Sequence, residues 1–84
     1  MKRPRIDRAI HAQLARLTSL LRDIERSGGR DRWSHLHSHG HKYPTISSAK
    51  RQGYVRESQA YEYELTKSGR CYLRDIDEAT LRSQ

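Results

Sequence analysis

Apolar residues in the first third of the chain recur at helical spacing. Ile6, Ile10, Leu14, Leu17, Leu21 and Ile24 fall 4, 4, 3, 4 and 3 positions apart. That spacing places them on one narrow stripe of a helix over 6–26. Leu20 sits beside the stripe and widens it, while Arg8, Arg16, Arg22 and Arg26 fall outside it and are expected in solvent. Gly28-Gly29 ends the helix, because glycine takes the left-handed conformation cheaply. Asp31 to Ser38 reads as a short second helix capped by Asp31, with Trp33 and Leu36 on one apolar edge and Trp33 in the core. After the turn Lys42-Tyr43-Pro44, a third helix begins at Pro44 or Thr45 and ends at Gln52, before Gly53. Ile46 and Ala49 then face inward. Ser47, Ser48, Arg51 and Gln52 face outward, with Lys50 at the flank.

The second half changes period. Tyr54-Val55-Arg56 is short and extended in character, and Glu57 to Ala60 suits a turn. Tyr61-Glu62-Tyr63-Glu64-Leu65 alternates apolar and charged, which predicts a strand with Tyr61, Tyr63 and Leu65 on one face. Thr66 is a good N-cap, since its hydroxyl can accept from the free amides of the next turn. A last helix is predicted over Lys67–Arg82, with Gly69, Leu73, Ile76 and Ala79 or Thr80 on its buried edge and Asp75, Asp77 and Glu78 exposed. The alternative reading of this region is a plain hairpin and helix in another small α+β domain.

Tyr63-x-Leu65-Thr66-x-x-Gly69-x-x-x-Leu73, preceded by Gly53-Tyr54-Val55, resembles the wing and closing helix of bacterial and phage winged-helix transcription regulators of the MarR and PadR type. The resemblance implies a mostly helical α+β fold, a winged helix-turn-helix of three helices, a two-stranded wing and a closing helix. It also implies that the two leucines are core, that Thr66 caps the helix, and that Gly69 lets helix and hairpin approach closely. The function implied is transcription regulation by a DNA-binding homodimer that reads duplex DNA with the helix at 45–52. The chain departs from the family in two respects. The reading helix is short, and the wing carries Glu57, Glu62 and Glu64 against the single cation Arg56. These departures leave room for a protein-binding winged-helix module, such as a phage-encoded inhibitor or adaptor that uses the basic face.

Length and composition fit a single domain over 1–84 with a basic arm at 1–5. A domain of this size buries only roughly 60–65% of its unfolded surface. Hydrophobic residues make up 33% and charged ones 32%, so a monomer would be stretched and a shared helix in a homodimer would relieve it. No apolar run approaches the roughly 20 residues of a membrane span. No signal-peptide pattern follows Lys2, Arg3 and Arg5, and a cytoplasmic protein is expected.

The net charge of +7 favours a polyanionic partner, most simply double-stranded DNA. The charge is uneven: residues 1–56 carry +9 and residues 57–84 carry −2. Between Lys42 and Arg56 lie Lys42, Lys50, Arg51 and Arg56 and no acid. The candidate DNA-binding residues are therefore Lys42, Thr45, Ser47, Ser48, Lys50, Arg51 and Arg56, joined by Arg3 and Arg5 of the arm. Hydroxyls and arginine suit base edges and phosphates. The bland counterpart is a short solvated helix.

His35, His37, His39 and His41 alternate, and could chelate a metal as i, i+2 pairs on extended chain or i, i+4 pairs on a helix. No Cys, Asp or Glu lies within the run to complete a set, so neither a metal nor a cofactor is expected. Cys71, the single cysteine, cannot form an internal disulfide and reads as a small core or boundary residue. No nucleophile–base–acid set or carboxylate pair stands out, and an enzyme is not expected.

Overall fold

A computed structural model describes residues 6–82, with side chains described over 12–79. The elements run α1 (Ile6–Arg26), β1 (Arg30–Arg32), α2 (Trp33–Ser38), α3 (Tyr43–Arg51), β2 (Val55–Gln59), β3 (Glu62–Leu65) and α4 (Lys67–Arg82). The chain is a mostly helical α+β structure whose three strands form one antiparallel sheet in the order β1-β3-β2. This arrangement is compatible with the expected winged helix.

Helices α1 and α3 end on the same device. The Gly29 amide reaches back to the Ile24 carbonyl at 2.9 Å, and the Gly28 amide to that of Glu25 at 3.0 Å. In α3 the Tyr54 amide donates to Ala49 at 2.9 Å and the Gly53 amide to Lys50 at 3.1 Å. Gly28 and Gly53 hold the required left-handed φ of 90° and 83°. Helix α4 starts as its sequence predicts: the Gly69 amide donates to Thr66 Oγ1 at 3.1 Å, and that hydroxyl donates to the Gly53 carbonyl at 2.5 Å. Gly69 lies where a β-carbon would meet the Tyr54 carbonyl oxygen and would sit 2.8 Å from Leu65 Cδ1. Helix and hairpin therefore touch through backbone, as the resemblance implied.

Leu17, Leu20, Leu21, Ile24, Leu36, Ile46, Ala49, Val55, Tyr63, Leu65 and Leu73 form one buried cluster. The α1 stripe supplies three of these, and Leu20 beside it, fully covered, is a fourth. Its next member toward the N-terminus, Leu14, is 45% exposed and does not join the core. The side chains of Ile6, Ile10 and Thr80 lie outside the described residues. On α4, Leu73 is buried and Ile76 half-buried, but Ala79 is exposed. Trp33 is half-buried at the edge of the core, set edge-on against Tyr43 with ring centroids 5.7 Å apart.

Several expectations change. Strand β1 takes Arg30 to Arg32, where the second helix was predicted to begin. Arg30, Asp31 and Arg32 stand opposite Glu64, Tyr63 and Glu62 of β3. Asp31 consequently does not cap α2. Its carboxylate accepts from Ser27 Oγ at 3.0 Å and from the Arg32 amide at 2.8 Å, and meets His35 Nδ1 at 2.5 Å. Strand β2 runs on to Gln59 through a bulge between Glu57 and Gln59, so the turn contracts. Tyr61 leaves the inner face: it takes a left-handed φ of 60°, and its ring is 67% exposed. Helix α3 spans Tyr43–Arg51, starting and ending slightly earlier than predicted, with its proline in the first turn.

Candidate nucleic-acid interface

Helix α3 packs Ile46 and Ala49 against the core, which turns the opposite face outward. Arg51 and Lys42 are exposed, while Thr45, Ser47 and Ser48 are half-buried. Lys42 and Arg51 have no acidic partner among the described residues. Gln52 Nε2 donates to Ser48 Oγ at 3.0 Å, tying two polar side chains on one flank of the helix.

The two other candidate cations with described side chains, Lys50 and Arg56, are engaged by acids. Lys50 Nζ lies 3.0 Å from Glu57 Oε1 on β2. The pairing raises the lysine's pKa above its ordinary value. The same Glu57 accepts the Tyr61 amide at 3.0 Å. That bond first, and Lys50 second, hold its carboxyl below the usual range. Arg56 Nε donates to Glu64 Oε1 at 2.6 Å, and Arg30 donates to Glu64 Oε2 at 2.7 Å. The two guanidiniums, Arg30 foremost, push the Glu64 pKa down. The hairpin is thus a self-neutralised ladder of charges, and Lys50 and Arg56 do not stand as free cations on it.

The fold brings in a residue that the sequence reading left in solvent. Arg16 of α1, with Gln13, Leu14 and Leu17, faces Lys42, Pro44, Thr45, Ser48, Arg51 and Gln52 across an open groove of about 690 Å³. Among the described residues the lining contains three cations and no acid. Arg16 is off the apolar stripe, and no local signal ties it to α3. Only the packing of α1 on α3 reveals the connection. Arg3 and Arg5 lie outside the described residues.

The histidine run is dispersed onto two carboxylates. His41 is buried at 7% exposure, and its Nε2 meets Asp23 Oδ2 of α1 at 2.5 Å. His39 Nδ1 is 3.5 Å from the same oxygen. The bond to His41 is the main cause that lowers the Asp23 pKa. His35 pairs with Asp31, and its ring lies 4.1 Å from that of His39, centroid to centroid. His37 packs on Trp33 at 5.1 Å. Among the described residues, no three His, Cys, Asp or Glu side chains converge as a metal-binding set. Cys71 is a half-buried free thiol. No helix among the described residues is long and apolar enough to cross a membrane.

Comparisons of the chain with protein-family models, curated proteins and solved structures find no match.

Proposed function

We propose that this chain is a winged-helix domain that binds duplex DNA through α3 and serves as a transcription regulator. The observation that carries the reading is that Lys42 and Arg51, at the two ends of α3 beside Ser47 and Ser48, have no acidic partner among the described residues. Cations without acidic partners keep their full attraction for phosphate, and hydroxyls on the same helix are suited to base edges or the backbone. The element order and the β1-β3-β2 sheet agree with the family resemblance of the hairpin and closing helix. In this reading α3 enters the major groove, and the hairpin contributes little, because Glu57, Glu62 and Glu64 occupy it. The regulator is a homodimer. A hydrophobic content of 33%, which a shared helix would complement, supports that assignment.

Titration of the isotope-labelled protein with random-sequence duplex DNA tests this directly. Amide shifts should concentrate in residues 42–52 and leave the outer turns of α4 unmoved. Shifts confined to the hairpin would contradict the reading.

A second reading has an observation of its own. Tyr43 and Tyr61 are 54% and 67% exposed near Trp33, on the side of the molecule that carries the acidic hairpin. Exposed aromatics beside carboxylates suit a protein partner better than a polyanion. Binding that survives Lys42→Ala with Arg51→Ala and is lost with Tyr61→Ala would favour that module.

A further inference from the structure

We infer that Arg16 of α1 is a phosphate-contacting residue, and that the groove between α1 and α3 is the track of one DNA strand's backbone. This inference rests on the DNA-binding reading above. Of the other cations with described side chains, Arg22 is held by Asp77 and Glu25, Arg26 by Asp23, Arg30 and Arg56 by Glu64, and Lys50 by Glu57, while Arg32 and, on α4, Lys67, Arg70 and Arg74 have no acidic partner among the described residues. Arg16, Lys42 and Arg51 have no such partner among the described residues, and all three line this one groove. Together they make a local positive field that no acid among the described lining residues cancels.

The lining favours an extended strand over a small free anion. The cations come from two helices, and the floor between them includes exposed Leu14 and Pro44. No polar cage closes on a single point. Thr45, Ser48 and Gln52 project along one flank of α3 at intervals near one helical turn, about 5.4 Å of rise. Apolar surface between such donors suits the sugars that separate successive phosphates. Arg16 in addition fixes the angle at which α3 meets the duplex, because it sits on a different helix from the other two cations.

The test is binding of a labelled random-sequence duplex at several salt concentrations by the wild type, Arg16→Gln, Arg16→Lys, Arg26→Gln and Arg51→Ala, each checked for folding by circular dichroism. Arg16→Gln should weaken binding about tenfold. The log–log salt slope should become shallower by about 0.9. Arg16→Lys should keep the wild-type slope, and Arg26→Gln, a cation of the same helix already paired with Asp23, should change neither quantity. If the wild type binds and Arg51→Ala weakens it, but Arg16→Gln behaves like Arg26→Gln, the groove assignment is overturned while the DNA reading stands. If the wild type does not bind, both fall. Inorganic phosphate should displace the duplex no better than chloride of equal ionic strength. Stronger displacement by phosphate would make the groove a site for a free anion and would also overturn the strand assignment.

Discussion

Lys50 of α3 and Glu57 of β2 form a 3.0 Å ion pair that joins α3 to the hairpin. A lysine that the sequence offers as a DNA-binding candidate is therefore occupied. An exposed pair of this kind adds little stability, but it removes one positive charge from the face offered to DNA. Glu57→Gln should free Lys50, tighten duplex binding and steepen the salt slope by about 0.9. Lys50→Ala should cost less affinity than Arg51→Ala. An anisotropy titration of the three variants checks the order, and a larger loss from Lys50→Ala than from Arg51→Ala would contradict it.

Gly69 should not tolerate a side chain. A methyl group there meets the Tyr54 carbonyl and Leu65 Cδ1, which are backbone and core. Gly69→Ala should destabilise by about 1–3 kcal/mol despite alanine's better helix propensity. Thermal melts would show a lower Tm. An unchanged or raised Tm would mean that α4 and the hairpin are not in backbone contact.

The α1 stripe divides between Leu17 and Leu14. Leu20→Ala, at a fully buried position, should cost about 2–5 kcal/mol in denaturant unfolding. Leu14→Ala should leave the stability nearly unchanged, because Leu14 is 45% exposed and lines the α1–α3 groove. Denaturant unfolding of the two variants side by side reads the difference. An unfolding cost for Leu14→Ala similar to that of Leu20→Ala at high dilution would place Leu14 in the core instead.

Asp23 gives the fold an acid-sensitive element. Its folded pKa lies below the ordinary 3.8, chiefly through the bond to His41. A depressed carboxyl stabilises the fold fully above its unfolded pKa, and that contribution is lost as the pH falls through the folded value. Glu57 and Glu64, lowered from 4.5, act in the same direction. Asp23→Asn should be less stable than the wild type at pH 6, and the gap should close below about pH 4. Urea midpoints across that range measure it. A gap that persists unchanged at pH 3 would show that the carboxylate charge is not the source.

Much of the fold was legible because its signals are local. Thr66 and Gly69 carry a cap and a close approach within four residues, and Tyr63 and Leu65 alternate on a strand whose inner face is buried. Strand β1 was not legible, because Arg30-Asp31-Arg32 has no apolar alternation. It becomes a strand by pairing with β3, where Glu64 stands 34 positions away from Arg30. Tyr61 fits the alternation of β3, yet its left-handed backbone at the turn swings the ring outward. The charge run from Lys42 to Arg56 was visible in the sequence. Which of its members are free was not, because Glu57 and Glu64 neutralise Lys50 and Arg56 only across the folded hairpin. Arg16 joins Lys42 and Arg51 through helix packing, which no local pattern encodes.

The most direct test of the account is the affinity of the wild type and of Lys42→Ala/Arg51→Ala for random-sequence duplex DNA, measured across a range of salt. The account predicts wild-type binding that weakens steeply with salt. In the double variant, the slope should be shallower by about 1.8 at unchanged fold stability. Absence of wild-type binding at low salt, or a double variant with the wild-type slope, would contradict it.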